Sequence, residues 1–302
     1  MRTAVITPVS GRHAHLRAQH AALRREDMGA ARHVVVAMGD GEASRCRAHC
    51  GETAAVIPLE HAGTALPLAR ARNAGAEYAL AAGAELLVFL DVDCLPVGGL
   101  LERYRSAAAR TGPALLCGPV AYLPAPPRGG YPASGLHALA RPHPARPSPP
   151  DGVLEPGGDH TLFWSLSFAV TSATWHRIGG FSEDYVGYGA EDTDFGQRAR
   201  CAGADLCWVG GALAFHQHHP VASPPVQHLD DILRNARVFH ARWGWWPMSG
   251  WLLAFAERGL AYYDAAAGVW KRGASPEGEG RRDFASVARV PTLATEGHRR
   301  RG

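Results

Sequence analysis

Two carboxylates close an apolar run in the stretch Glu85-Leu-Leu-Val-Phe-Leu-Asp91-Val-Asp93-Cys-Leu-Pro96. Residues 86–90 read as a strand buried on both faces. Residues two apart on a strand share a face, so Asp91 and Asp93 can converge on one point just past its carboxyl end. In an open α/β sheet that edge is where ligands bind. Two hard oxygen ligands there suit Mg2+ or Mn2+, a cation often shared with substrate phosphates. The plain alternative is a helix cap at Asp91 and a solvated turn residue at Asp93, and so short a pattern does not decide between them. A second acidic group, Glu191-Asp192-Thr-Asp194, follows Gly187-Tyr188-Gly-Ala, and His216-Gln-His218-His219-Pro220 comes after it. The acidic trio suits the first turn of a helix, where carboxylates face the positive end of the dipole. Taken alone, it is charge decoration and the histidines are an exposed loop.

The elements that would position these groups alternate along the chain. Strands are predicted at 3–7, 33–38, 56–59, 86–90 and 114–120, with helices at 13–25, 66–83 and 98–110 between them. Strand and helix in turn, with short connections, is the signature of an α/β fold with a mostly parallel, doubly wound sheet. From 124 to 158 proline and glycine dominate, which predicts a flexible flap beside the site or a plain disordered insertion. Order returns with a strand over 163–170, a helix over 172–178 ended by Gly179-Gly180, a helix from about Glu191, and short strands at 206–209 and 212–215. The expected division is a domain over 1–222, a C-terminal helical extension over 223–272 and a disordered tail over 273–302. The cluster Trp243-Gly-Trp245-Trp246-Pro247 either packs that extension or touches a membrane surface.

Composition narrows the class. The chain has 302 residues, 46% apolar and 20% charged, with a formal charge of +3 and sixteen histidines that titrate as pH falls. Basic residues form no stripe except at the extreme C-terminus, so nucleic-acid binding is not indicated. The six cysteines form no CxxC pair or zinc spacing, the first apolar run breaks at Pro8, and no run is long enough to span a bilayer. These features predict a reduced, cytoplasmic protein, with peripheral membrane contact through the Trp-rich segment as an option.

Four ordered motifs resemble the GT-A fold glycosyltransferases, close to family 2, with a galactosyltransferase-type C-terminal half. They are Val5-Ile-Thr7-Pro8-Val-Ser-Gly-Arg12; Ala71-Arg72-Asn73-Ala-Gly75 followed by the Asp91-Val-Asp93 strand; Ile178-Gly-Gly-Phe181-Ser-Glu183 with Gly187-Tyr188-Gly-Ala-Glu191-Asp192-Thr-Asp194; and His216 beyond that block. Their joint occurrence, over roughly 3–220, is far more specific than any one of them. The resemblance implies a GT-A fold with a Rossmann-like central sheet, and a metal-dependent, inverting transfer of a hexose from a nucleotide-diphosphate sugar, UDP by expectation, to an acceptor hydroxyl on a glycan, lipid-linked carrier or small molecule. It implies metal ligation by Asp91, Asp93 and His216, with His218 as the fallback, and Asp192 as general base. Thr7, Pro8, Arg12, Asp40 and Arg72 would contact the nucleotide or diphosphate, and Trp164, Tyr188, Glu191 and Asp194 the sugar or acceptor. Tyr188 stands where the family usually has Trp, Ala190 replaces the second glycine, and Asp40 sits a position or two late for the base-contacting acid. Two other classes use similar residues. A nucleotidyltransferase or other phosphoryl-transfer enzyme would want a glycine-rich phosphate loop with Lys, of which Gly11-Arg12 is a poor version, and a non-catalytic sugar-nucleotide binder would need no base.

Overall fold

A computed structural model describes residues 1–26, 31–128, 130–132 and 134–273, and the predicted tail lies outside them apart from residue 273. The first compact unit covers 1–221. It opens with strand β1 (Thr3–Val9), helix α1 (His13–Leu23), β2 (Arg32–Met38), α2 (Glu42–Cys50) and β3 (Ala54–Leu59). Then come α3 (Leu68–Ala81), β4 (Leu86–Leu90), β5 (Cys94–Pro96), α4 (Leu100–Arg110), β6 (Ala114–Cys117) and β7 (Val120–Tyr122). A short α5 (Leu136–Leu139), β8 (Arg141–Pro142) and β9 (Leu154–Pro156) precede β10 (Ser167–Thr171), α6 (Ser172–Ile178), α7 (Glu191–Cys201), β11 (Asp205–Val209) and β12 (Ala214–His216). The main sheet runs β3-β2-β1-β4-β10-β6-β11-β9, parallel except for β10 and the edge strand β9. A smaller sheet, β5-β12-β7-β8, carries the chain just after Asp93 and ends β12 on His216.

The alternating architecture stands as expected, with local differences; among them, the strand expected over 114–120 divides into β6 in the main sheet and β7 in the smaller one. α2 was not predicted, because its sequence is mostly polar and only Glu42, Cys46 and Cys50 turn inward. Within 124–158, β9 pairs with β11 and β8 with β7, so this proline-rich stretch supplies edge strands to both sheets. Edge positions tolerate proline because one side of the ladder needs no donor. The strand expected over 163–170 begins only at Ser167, which leaves Phe163 and Trp164 in irregular chain ahead of it.

Packing of α3 onto the sheet explains its small residues. Ala69, Ala71, Ala76 and Ala79 are buried, and a Cβ on Gly75 would lie 2.5 Å from Ile6 Cγ2 and 3.0 Å from Val36 Cγ2. Gly75→Ala is therefore expected to cost about 1–3 kcal/mol through overpacking, read as a lower denaturant midpoint with an unchanged m-value. An unaltered midpoint would show that the helix can move away freely. On the same side of the sheet, Phe89 stacks on Phe168 at 4.6 Å and Phe181 on Phe195 at 4.1 Å, fixing the Gly179-Gly180-Phe181 turn and α7 to the core.

A buried polar chain runs under β1. His20 Nε2 lies 2.8 Å from Thr53 Oγ1, His20 Nδ1 lies 2.9 Å from His33 Nδ1, and His33 Nε2 lies 3.1 Å from Thr7 Oγ1. Thr7 donates to Gln19 Oε1 at 3.0 Å, and Gln19 Nε2 donates to the carbonyls of Asp91 (2.7 Å) and Cys94 (2.9 Å). Thr7 and Pro8 are both buried, so they do not line an open nucleotide pocket as expected; Thr7 instead helps shape the turn that carries Asp91 and Asp93. The reason is that β1 is central in the sheet and covered on both faces.

Burial pushes His33 down to about 3, with His20 adding to the shift, and burial also lowers His20. A base whose folded-state pKa is depressed gives stability that is present above its unfolded value, about 6.5, and is lost as pH falls towards the folded value. The melting temperature should therefore drop between pH 6.5 and 4, with His33 contributing on the order of 1.4 kcal/mol per pH unit. A His33→Gln variant should show a shallower fall in a pH series of thermal melts; an identical slope would remove His33 from the account.

The second unit begins at Ala222. It contains α8 (Leu229–Trp243), α9 (Ser249–Glu257) and a hairpin of β13 (Ala261–Asp264) and β14 (Val269–Arg272), so the extension is not purely helical. Gly268, at φ 64°, permits the turn between these strands. Trp246 and Trp270 are buried in this unit's own core with Ile232, Leu252 and Phe255, and Trp243 and Trp245 are half-buried near Phe239. Packing thus accounts for these tryptophans. No helix among the described residues is long and apolar enough to cross a membrane.

Candidate active site

Asp91 and Asp93 leave the carboxyl end of β4 and turn apart. Asp93 is buried and pairs with Arg12; His219 Nε2 lies 3.4 Å from its Oδ2 and His216 Nε2 lies 3.5 Å from its Oδ1. One ligand atom from each of Asp93, His216 and His219 falls within 4.8 Å of the others, a spacing that could hold a metal ion. Gln217 N–H donates to the Asp93 carbonyl at 2.7 Å, which locks the end of β12 to this turn. His218 is exposed, and only its backbone enters the neighbourhood, donating to Tyr131 Oη at 2.9 Å. The side chain that joins Asp93 and His216 is therefore that of His219, where His218 was the expected alternative. Past the end of β12 the backbone turns, and simple alternation no longer tells which histidine points inward.

Burial would raise the Asp93 carboxyl, but the hydrogen bond from His219 and the charges of His216 and Arg12 hold it below the usual carboxylate range. Burial also lowers His216 despite Asp93, which favours the neutral imidazole that metals bind. Arg12 reaches Asp93 from a left-handed backbone position, φ 49°. The adjacent Gly11 N–H is tied to Glu42 Oε1 at 2.8 Å, and the same carboxylate meets His13 at 2.8 Å. Glu42 is thus a site-shaping residue, and the mostly polar sequence of α2 carries no signal of it. Asp40 lies at the exposed turn before α2.

Asp91 takes a different partner. The buried Arg72 donates through Nη2 to Asp91 Oδ1 at 3.1 Å and through Nη1 to Glu191 Oε1 at 3.3 Å. One guanidinium therefore joins the β4 edge to the start of α7, and Asp91 is outside the Asp93-histidine group expected to include it. Burial lifts the Asp91 carboxyl to about 6 against the pull of Arg72, with Asp93 adding to the rise. Asn73 completes the junction: its amide donates to Phe181 O at 3.0 Å and accepts from Phe181 N–H at 2.9 Å. Ala71, Arg72, Asn73 and Gly75 so acquire physical tasks, from helix packing to charge bridging to turn clamping.

Asp192 is half-buried at the first turn of α7 and accepts from Thr193 N–H at 2.7 Å. Burial pushes it up to about 7, Glu191 adds to the rise and Arg72 opposes it. Such a carboxyl is poised to exchange a proton near neutrality. Tyr188 has a partly exposed ring, and burial together with Asp192 and Glu191 pushes its phenol up to about 12. Asp194, by contrast, is fully buried and accepts from Tyr185 Oη at 3.1 Å, so it supports the turn and does not reach a sugar hydroxyl. Ala190 has φ 72°, a left-handed position at which glycine would be unstrained, which is the physical content of its departure from the family pattern. Trp164 is half-buried and meets His143 edge-on at 4.7 Å.

Comparison with known proteins bears on the fold and the class of the chain. A family model described as the N-terminal domain of galactosyltransferase matches residues 158–220, the segment from just after β9 through Pro220. Two curated relatives, each a validoxylamine A glucosyltransferase, from Streptomyces hygroscopicus subspecies jinggangensis and limoneus, are 28% identical over 46% of this chain. The match spans only 36% and 34% of those proteins, about a third of their length. Among solved structures, TarS from S. aureus aligns at a TM-score of 0.52 with 12% identity, over 80% of this chain and 66% of that one. A structure described as GalNAc-T7 with UDP, GalNAc and Mn2+ aligns at 0.55 with 14% identity, over 85% of this chain and 50% of that one. The fold is shared with these glycosyltransferases.

Proposed function

We propose that this chain, which shares its fold with glycosyltransferases, is a metal-dependent, inverting transferase moving a hexose from a nucleotide-diphosphate sugar to an acceptor hydroxyl. The observation that carries this reading is the Arg72 bridge, which joins Asp91 at the end of β4 to Glu191 at the start of α7. Relatives named as glucosyltransferases support a hexose, and a fold neighbour described with UDP and Mn2+ supports a uridine donor and that cation. Asp93, His216 and His219 would hold the metal; one carboxylate and two imidazoles fit Mn2+ better than Mg2+. A cation bound there supplies Lewis-acid stabilisation of the departing diphosphate.

The protein's own groups then divide the work. Arg72 holds Asp91 and Glu191 together as a rigid wall beside the donor. Asp192, ionised above about pH 7, takes the proton of the attacking acceptor hydroxyl. One base and direct attack give inversion at the anomeric carbon. Tyr188 offers a neutral phenol ring on which a sugar face can stack. The test is a panel of nucleotide sugars with Mn2+, scored for binding and for slow release of nucleoside diphosphate. Pyrophosphate as the released product would instead indicate nucleotidyl transfer, and indifference to every sugar nucleotide would end this reading.

A further inference from the structure

The stretch after β8 holds a buried cation whose donors are unmet. Arg146 is 8% exposed, and its Nε, Nη1 and Nη2 meet no acceptor among the described residues. Its guanidinium lies over two indoles, 5.2 Å from the Trp164 ring centroid and 4.8 Å from that of Trp208. Contacts of this kind satisfy the flat faces of the cation but leave its in-plane N–H groups open. A buried guanidinium without a counter-ion is unfavourable, whereas one completed by an oxyanion forms among the strongest of hydrogen-bonded pairs. The buried groups that feel its charge, Cys94, Tyr104, Cys117 and Tyr122, are thiols and phenols that burial keeps neutral. None of these supplies the missing anion.

Arg146 also borders the site. Trp164 stands two residues before Leu166, whose carbonyl accepts from Asp91 N–H at 3.0 Å. Its ring meets His143, which lies 6.1 Å from Tyr122, and Tyr122 stacks on His216 at 4.8 Å. β8, which leads into Arg146, is nevertheless two strands from β12 in the small sheet, about 10 Å at ordinary strand spacing. A diphosphate held at Asp93 and His216 would therefore engage the opposite end of this wall.

We propose that Arg146 recognises a carboxylate or phosphate on the acceptor, with the half-buried Trp164 ring as the platform for the body of that molecule. The word acceptor rests on the transfer reading above; the oxyanion site itself does not. The full chain is titrated by calorimetry with methyl β-glucuronide, methyl β-glucoside and inorganic phosphate, and separately with UDP plus Mn2+. The wild type should bind the glucuronide or phosphate at least about tenfold more tightly than the glucoside, the low end for a charged hydrogen-bonded pair. Arg146→Met should abolish that preference while changing UDP affinity by less than about twofold. Arg146→Lys keeps the charge without the planar fork and should retain part of the preference, giving a second folded variant should the first be unstable. A response to glucuronide alone assigns an acid sugar, and a response to phosphate alone assigns a phosphorylated acceptor; either supports the site. Equal binding of the neutral and anionic probes by the wild type overturns it, as does loss of UDP affinity in Arg146→Met, which would give the residue to the donor. A wild type that binds no nucleotide sugar with Mn2+ defeats the transfer reading separately, leaving the oxyanion titrations interpretable.

Discussion

Asp192→Asn is expected to lower acceptor-dependent transfer by about 10²–10⁴-fold, the usual worth of a positioned general base, while donor binding stays within about twofold of wild type. The physical basis is the position of Asp192 at the start of α7, where burial and Glu191 lift its carboxyl to about 7 against Arg72. Amide replacement keeps shape and polarity but removes the only proton-accepting function at that atom. The sign of the pH dependence follows directly. A base works when ionised, so the wild-type rate should climb as pH rises through about 7 and level off above it. Single-turnover transfer at saturating donor is the measurement, and Asp192→Asn should lack the acidic limb in whatever rate survives. A variant that transfers as fast as the wild type would remove Asp192 from the chemistry. A variant that loses donor binding instead would make it a positioning residue for Arg72.

The second large effect is at the metal group. His219→Ala and Asp93→Asn should each weaken Mn2+-dependent donor binding by at least about 100-fold, since loss of even an outer-sphere partner of a ligand commonly costs 10–100-fold. His218→Ala should leave it within about twofold, because that side chain is exposed and only its backbone is engaged. The contrast between adjacent histidines is the informative part, read by paramagnetic titration of Mn2+ with and without UDP. Asp91→Asn is a different kind of change. It removes one of the two carboxylates on the buried Arg72 and leaves Glu191 to balance that charge, so it should loosen the link between β4 and α7 while the Asp93-histidine group stays in place. If His218→Ala and His219→Ala behave alike, the histidine loop takes another conformation when metal binds.

Much of the site was legible in residue order because the relevant signals are local. The apolar run 86–90 reads as a buried strand, and its abrupt acidic end suits the carboxyl edge of a sheet. Alanine density over 68–81 announced α3, and Gly179-Gly180 announced the stop of α6. Arg72 was recognisable as a cation beside the metal strand, although its double engagement of Asp91 and Glu191 was not. Gln19, Glu42 and Arg146 carried no such signal. Each is an ordinary polar residue on a helix or loop, and its task depends on what folding brings opposite it.

Periodicity, turn residues and motif order thus determined that this is an α/β chain with carboxylates gathered at one end of a parallel sheet, since those patterns are written over a few consecutive positions. Tertiary structure alone decided that Thr7 and Pro8 are core, that Asp194 points inward, that Asp93 and not Asp91 meets the histidines, and that His219 completes the group. Those outcomes turn on side-chain direction and on pairings across 70 residues or more of sequence, where rotation by a single position reverses which atom faces the cleft.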